Sequence, residues 1–211
     1  SDVVKAANKA MGEIDMPADF TWQFGGTFED QQDTFTDMIM LMALIIVLVF
    51  IIMASQFESL TYPFVIMFSI PFALTGVLMG LFVTGTPLSI MAMLGLLMLI
   101  GIVVNNGIVL IDYIMLCRER GLGLVNAIVT SGRSRLRPIL MTTLTPVIGM
   151  IPMAVGKGEG SEMWRALGMS VAWGLSFSTL ITLIIIPTLY SVFARIGIKR
   201  ARKKELKTLK K

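Results

Sequence analysis

Apolar residues in this chain do not alternate with polar ones. They gather into long runs. Five runs approach or reach the roughly 20 residues that a helix rising 1.5 Å per residue needs to cross a bilayer core of about 30 Å. They are Met38–Ala54, Tyr62–Val83, Leu88–Leu116, Leu136–Val155 and Ala166–Phe193. With their edges, the spans are placed at 37–54, 62–84, 88–116, 136–155 and 166–194. The first is short but continues a helical approach from about Glu29, and the third is long enough to tilt or protrude. Pro63 and Pro138 fall near the starts of their runs, where a missing N–H costs little, and Pro187 near the end of the last.

The polar pieces have their own patterns. In residues 2–13, Val3, Ala6, Ala7 and Ala10 repeat at helical spacing, and Pro17 and Asp19 end that pattern. Phe20–Phe24 alternates aromatic and polar residues as a strand does, and Gly25-Gly26 closes it. Thr27–Asp37 is acidic and feeds the first span. Such a helix–strand–helix piece is too small to build a core. Ser1 opens inside a helical pattern, so the chain is expected to belong to something longer. Between Gly121 and Gly132, LGLVNAIVTS predicts a short amphipathic helix at the membrane interface, flanked by arginines. The expected fold is an all-α membrane protein with five transmembrane helices and a small α/β N-terminal remnant. Residues 1–36 are extracytoplasmic, 37–197 form the bundle, and 198–211 form a basic tail.

Composition agrees and then adds direction. The chain is 55% hydrophobic and 15% charged, against about a quarter charged in a soluble domain. With no His and one Cys, Cys117, it offers no zinc-ligand set, no Cys–His nucleophile and no intrachain disulfide, and no cofactor is expected. Fourteen of 18 Lys and Arg fall in the 117–137 segment and the tail, and only Lys5, Lys9, Lys157 and Arg165 elsewhere. Five alternating spans put those fourteen on one side, the cytoplasm, together with the C-terminus. The net charge of +4 is thus a topology signal, and nucleic acid is not an expected partner.

Polar residues within the spans are the candidate chemistry, since lipid makes them expensive. Asn105 and Asn106 sit in the third span about 100° apart, so the two amides cannot share a face. They serve either as interhelical hydrogen bonds or as a polar relay. Asp112 lies two turns after Asn105 on the same face, as a snorkelling carboxylate or a proton carrier, and Glu58 is interfacial. Thr142, Thr143 and Thr145 precede Pro146, and at least one hydroxyl is expected to bond a carbonyl that the proline frees. Gly76 and Gly80 form a GxxxG packing motif, with further small residues at Gly95, Gly101, Gly168, Gly174, Ser170, Ser176 and Ser178. The seventeen methionines show no ordered ladder and read as packing rather than soft-metal handling.

Four stretches carry a resemblance: QFESLTYPFVIMFSIPFALTGVLMG, GIVVNNGIVLIDYI, RSRLRPILMTTLTPVIGMIPMAVGKGEG and the helix running to IIIPTLYSVFARI. Across essentially its whole length the chain resembles the C-terminal membrane half of resistance-nodulation-division (RND) efflux transporters of the hydrophobe/amphiphile, AcrB-like branch. That resemblance implies twelve spans in two halves, of which this chain supplies the eighth to twelfth, with residues 1–36 ending a porter domain. It implies a non-enzymatic, proton-driven exporter of amphiphilic compounds such as drugs in the bacterial inner membrane. The implied partners are the N-terminal half, a homotrimer, a periplasmic adaptor, an outer-membrane channel and the lipid bilayer.

In that family a relay joins two adjacent Asp on the fourth span, a Lys on the tenth and a Thr on the eleventh. By resemblance the Thr is Thr142, while Asn105 stands at the Lys position, Asn106 at a family Asn, Arg135 at a positive position and Asp112 at an acidic one. An Asn cannot carry the lysine's charge, so the coupling differs in detail or uses another cation. The family fold also serves lipid export, protein translocation and, less in keeping with this sequence, metal efflux. A non-transporting, truncated subunit is a further alternative.

Overall fold

The computed structural model describes residues 2–12, 27–156, 158 and 160–208. The predicted Phe20–Phe24 strand lies outside these residues. The described residues are helical, without strands, and five stretches are long and apolar enough to span a membrane, as the sequence predicts.

The helices are α1 (Asp2–Gly12), α2 (Thr27–Phe57), α3 (Thr61–Met67), α4 (Ser69–Thr84), α5 (Ile90–Glu119), α6 (Leu124–Val155) and α7 (Ser161–Thr208). The chain divides into two units, residues 1–35 and 36–211. In the first, α1 stands where residues 2–13 predict a helix.

In the second unit α7 is the central staff, packed against α3, α4, α5 and α6. The core is aliphatic, with Val65, Ile66, Val77, Leu99, Ile111, Ile114, Leu175 and Ile186 essentially inaccessible. Close approach of α4 to α7 depends on missing side chains. A Cβ on Gly76 would come within 2.8 Å of the Phe177 Cβ, and one on Gly80 would overlap Trp173. In return Gly174 of α7 makes room for Leu99 and Val77. Ser89 caps α5 through its hydroxyl, which accepts from the Ala92 N–H, and Gly85 ends α4 at φ +63°, a conformation few other residues tolerate.

The structure departs from the predicted elements in two places. The second span is two helices, α3 and α4, joined at Phe68. Pro71 cannot donate to the Met67 carbonyl, and the Ser69 hydroxyl bonds the Ile66 carbonyl at 2.6 Å. The amphipathic segment between Gly121 and Gly132 is not a separate helix either: it is the first third of α6, which runs unbroken through Pro138. Ala127 is fully buried, and the Ser131 hydroxyl reaches the buried Cys117 sulfur at 3.6 Å. Those contacts fasten the segment to α5, so its helix has no reason to end at Gly132.

Candidate functional site

The polar residues of the spans fall into one buried seam and one exposed face. Neighbours on α5 point in different directions, and the structure buries Asn106 (6% exposed) and leaves Asn105 exposed. The Asn106 amide bridges to α6. Its Nδ2 donates to Thr143 Oγ1 at 3.4 Å, and Thr142 Oγ1 donates to its Oδ1 at 3.2 Å.

Thr143 is the node of the seam. Its hydroxyl donates to the Ile139 carbonyl at 2.8 Å. With its single proton committed there, it accepts from Asn106 on one side and from Thr179 of α7, 3.2 Å away, on the other. Thr179 and Thr143 are both buried, and Thr182, also buried, donates to the Thr179 carbonyl at 3.2 Å. Three helices thus meet on one chain of neutral hydrogen-bonding groups, Asn106–Thr143–Thr179, with Thr142 on its exposed rim. Such a chain orients dipoles and holds no fixed charge.

The threonines do not act on the carbonyl that Pro146 frees. That carbonyl belongs to Thr142, four residues earlier, whereas Thr142 and Thr143 bond Ile139 and Thr145 bonds Met141. Thr142 and Thr143 lie at or beside that carbonyl and reach back past it, and Thr145 takes its i−4 carbonyl at Met141 rather than the i−3 carbonyl of Thr142.

The other site residues lie apart from the seam. Asp112 is exposed on the face that carries Asn105. Arg135 stacks its guanidinium on the Tyr113 ring at 4.4 Å, joining α6 to α5, while its Nε is buried without a hydrogen-bond partner. Glu58 sits exposed just past α2 with a positive φ of 47°. Sequence reasoning missed Thr179, Tyr113 and Tyr190. Thr179 stood in the SFSTLITL run, whose serines read as small packing residues. Ser178 and Ser170 bond carbonyls of their own helix, and Thr179 alone of these reaches across to α6.

Five membrane-length helical stretches, with a hydroxyl–amide seam buried where three of them cross, define part of a multi-pass membrane protein. The chain belongs to the AcrB/AcrD/AcrF family of RND transporters, whose model matches residues 1–194. It is 40% identical over 199 residues to the swarming motility protein SwrC of Bacillus subtilis, covering 94% of this chain and 19% of that protein. It is 33% identical over 204 residues to the multidrug resistance protein MdtC of an Enterobacter species, covering 96% of this chain and 20% of that one. The crystal structure of a heavy metal efflux pump superposes with a TM-score of 0.79 at 29% identity, covering 91% of this chain and 19% of the pump. The chain therefore spans about a fifth of the length of the relatives it matches.

Proposed function

We propose that this chain is the C-terminal membrane segment of a proton-driven efflux transporter that exports amphiphilic or hydrophobic compounds. The observation that carries the reading is the buried Asn106–Thr143–Thr179 seam, with Thr142 hydrogen-bonded to Asn106 at its rim. A packing seam alone has no need of four hydrogen-bonding side chains at the crossing of three helices, and aliphatic residues would fill the same space at less desolvation cost.

In this reading the titrating carboxylates belong to the N-terminal half of the transporter. Asn105 and Thr142 face them as neutral hydrogen-bonding partners, with Asn106 bonded to Thr142 behind them and Asp112 and Arg135 toward the cytoplasmic entry. Protonation of the carboxylates changes which partner each hydroxyl serves, shifts the packing of α5 against α6, and moves α2, whose N-terminal part leads to the porter domain. The cargo undergoes no chemistry. The transporter sits in the bacterial inner membrane with its C-terminus in the cytoplasm, where the positive-inside rule puts the 117–137 segment and the tail. It works as a homotrimer with a periplasmic adaptor and an outer-membrane channel.

The likeness to a heavy metal efflux pump supports a second reading, in which the cargo is a metal cation. Export of a fluorescent amphiphile and of divalent cations from cells carrying the full-length transporter separates the two. In the first reading, Asn105→Leu and Thr142→Ala each slow proton-dependent amphiphile export severalfold. Unchanged export in both variants removes these positions from the coupling, and cation export without amphiphile export selects the second reading.

A further inference from the structure

A cavity of about 460 Å³ opens where α5 ends, α3 begins and the turn leads into α6. Its polar wall is Arg118, Tyr62 and Tyr190; Met115 and Leu122 form an apolar wall, and Glu119 is also in its lining. Arg118 Nη1 donates to Tyr190 Oη at 3.4 Å. The Tyr190 ring stacks on Tyr62, with centroids 5.6 Å apart and planes at 23°, and Phe57 meets Tyr62 edge-on at 6.1 Å. Tyr190 is buried to 2% exposure, so the stack is a fixed platform for the guanidinium.

A phenol does not neutralise an arginine. Arg118 has no carboxylate hydrogen-bonded to it among the described residues, and Glu119 next to it is exposed. Four guanidinium N–H groups remain for a ligand, in the forked array that matches phosphate oxygens. The location narrows the ligand further. Three spans have their ends here, so the cavity lies at headgroup depth, and its wall is half apolar, with Leu122 in it exposed. A soluble phosphate gains nothing from that wall, whereas the first methylenes of an acyl chain do.

We propose that this cavity binds the headgroup phosphate of an anionic phospholipid, held by Arg118 on the Tyr62–Tyr190 platform. The site is independent of export and of its coupling ion, so its test reads binding alone. The full-length transporter, purified in neutral detergent, is titrated with phosphatidylglycerol and followed by native mass spectrometry. Arg118→Gln weakens retention about tenfold, the loss expected for a charged hydrogen-bonded contact. Arg120→Gln, at an exposed neighbouring cation, leaves retention unchanged. Glu119→Gln removes a repelling carboxylate and tightens binding by about twofold. Glycerol phosphate in excess does not displace the lipid. Wild-type retention in Arg118→Gln, or displacement by glycerol phosphate, overturns the proposal. Should Arg118→Gln fail to assemble, Glu119→Gln decides, and retention that does not rise overturns it equally.

Discussion

Thr143 and Asn106 touch each other, yet the structure gives their removal different costs. Asn106→Leu deletes two interhelical hydrogen bonds but strands nothing. The Thr142 and Thr143 hydroxyls keep the Ile139 carbonyl at 2.9 and 2.8 Å, and Thr179 keeps the Thr143 oxygen. Interhelical bonds of this kind average about 0.6 kcal/mol each in a membrane protein, and Leu has the same side-chain branching as Asn, so the expected loss is about 1 kcal/mol. Thr143→Val preserves shape but removes the acceptor of the Asn106 Nδ2, which is buried and has no other hydrogen-bond partner among the described residues. An orphaned buried donor costs about 1–3 kcal/mol, so this variant loses about 2 kcal/mol, since Thr179 can turn to a carbonyl of its own helix. The double variant carries no orphan and is more stable than Thr143→Val alone by about 1 kcal/mol. Reversible unfolding of the full-length transporter in mixed micelles, read by tryptophan fluorescence, measures all four corners of the cycle. A double variant that simply adds the two single losses refutes Thr143 as the node. So does a larger loss in Asn106→Leu than in Thr143→Val.

Further predictions follow from single contacts. Gly80→Ala drives a methyl into Trp173 and lowers stability by about 1–3 kcal/mol, whereas Gly149→Ala, with nothing within 4 Å, has no steric cost; melting temperatures compare the two. Tyr113→Leu removes the cation–π partner of Arg135 and costs about 1 kcal/mol, and Arg135→Met in that background adds nothing more, because its buried Nε had no partner to lose. Glu58→Gly relieves a left-handed residue at the end of α2 and raises stability by about 1 kcal/mol in the same assay. Pro71→Ala restores the N–H that the Met67 carbonyl lacks and straightens the α3–α4 junction, which lengthens the distance between spin labels at 61 and 84 in double electron–electron resonance.

Periodicity revealed the number of spans because lipid demands a length, and length is visible in one dimension. It failed where tertiary contact decides. Pro71 lies within the apolar Tyr62–Val83 run, and its effect shows only in the backbone bond that Met67 loses. LGLVNAIVTS looked like an isolated interfacial helix because nothing in the sequence reveals that Ala127 and Ser131 lock onto Cys117 and its neighbours. The seam was half legible. A helical wheel separates Asn105 from Asn106, and it cannot say which is buried. Thr179 was invisible for a related reason: in SFSTLITL every hydroxyl can satisfy itself on its own helix, and only the three-dimensional crossing singles out the one that reaches another.

The division of polar groups on α5 bears on how such a helix couples anything. A helix with all its amides buried in one seam would be fixed; one with all of them exposed would have no leverage on its neighbours. Here Asn106 is tied to α6 directly and to α7 through Thr143, while Asn105 and Asp112 remain on the open face, next in sequence and two turns further on. Thr142 links the two environments, being exposed on α6 yet bonded to the buried amide. Its single hydroxyl proton has two acceptors in reach, the Asn106 oxygen at 3.2 Å and the Ile139 carbonyl at 2.9 Å. The second is the shorter, so a group arriving on the open face that accepts from Thr142 competes mainly with a local helix bond. A group that donates to Thr142 leaves both acceptors in place and polarises the hydroxyl toward them. A carboxylate is the first kind of group when ionised and the second when protonated, so the same rim hydroxyl gives opposite signs of response to the two states.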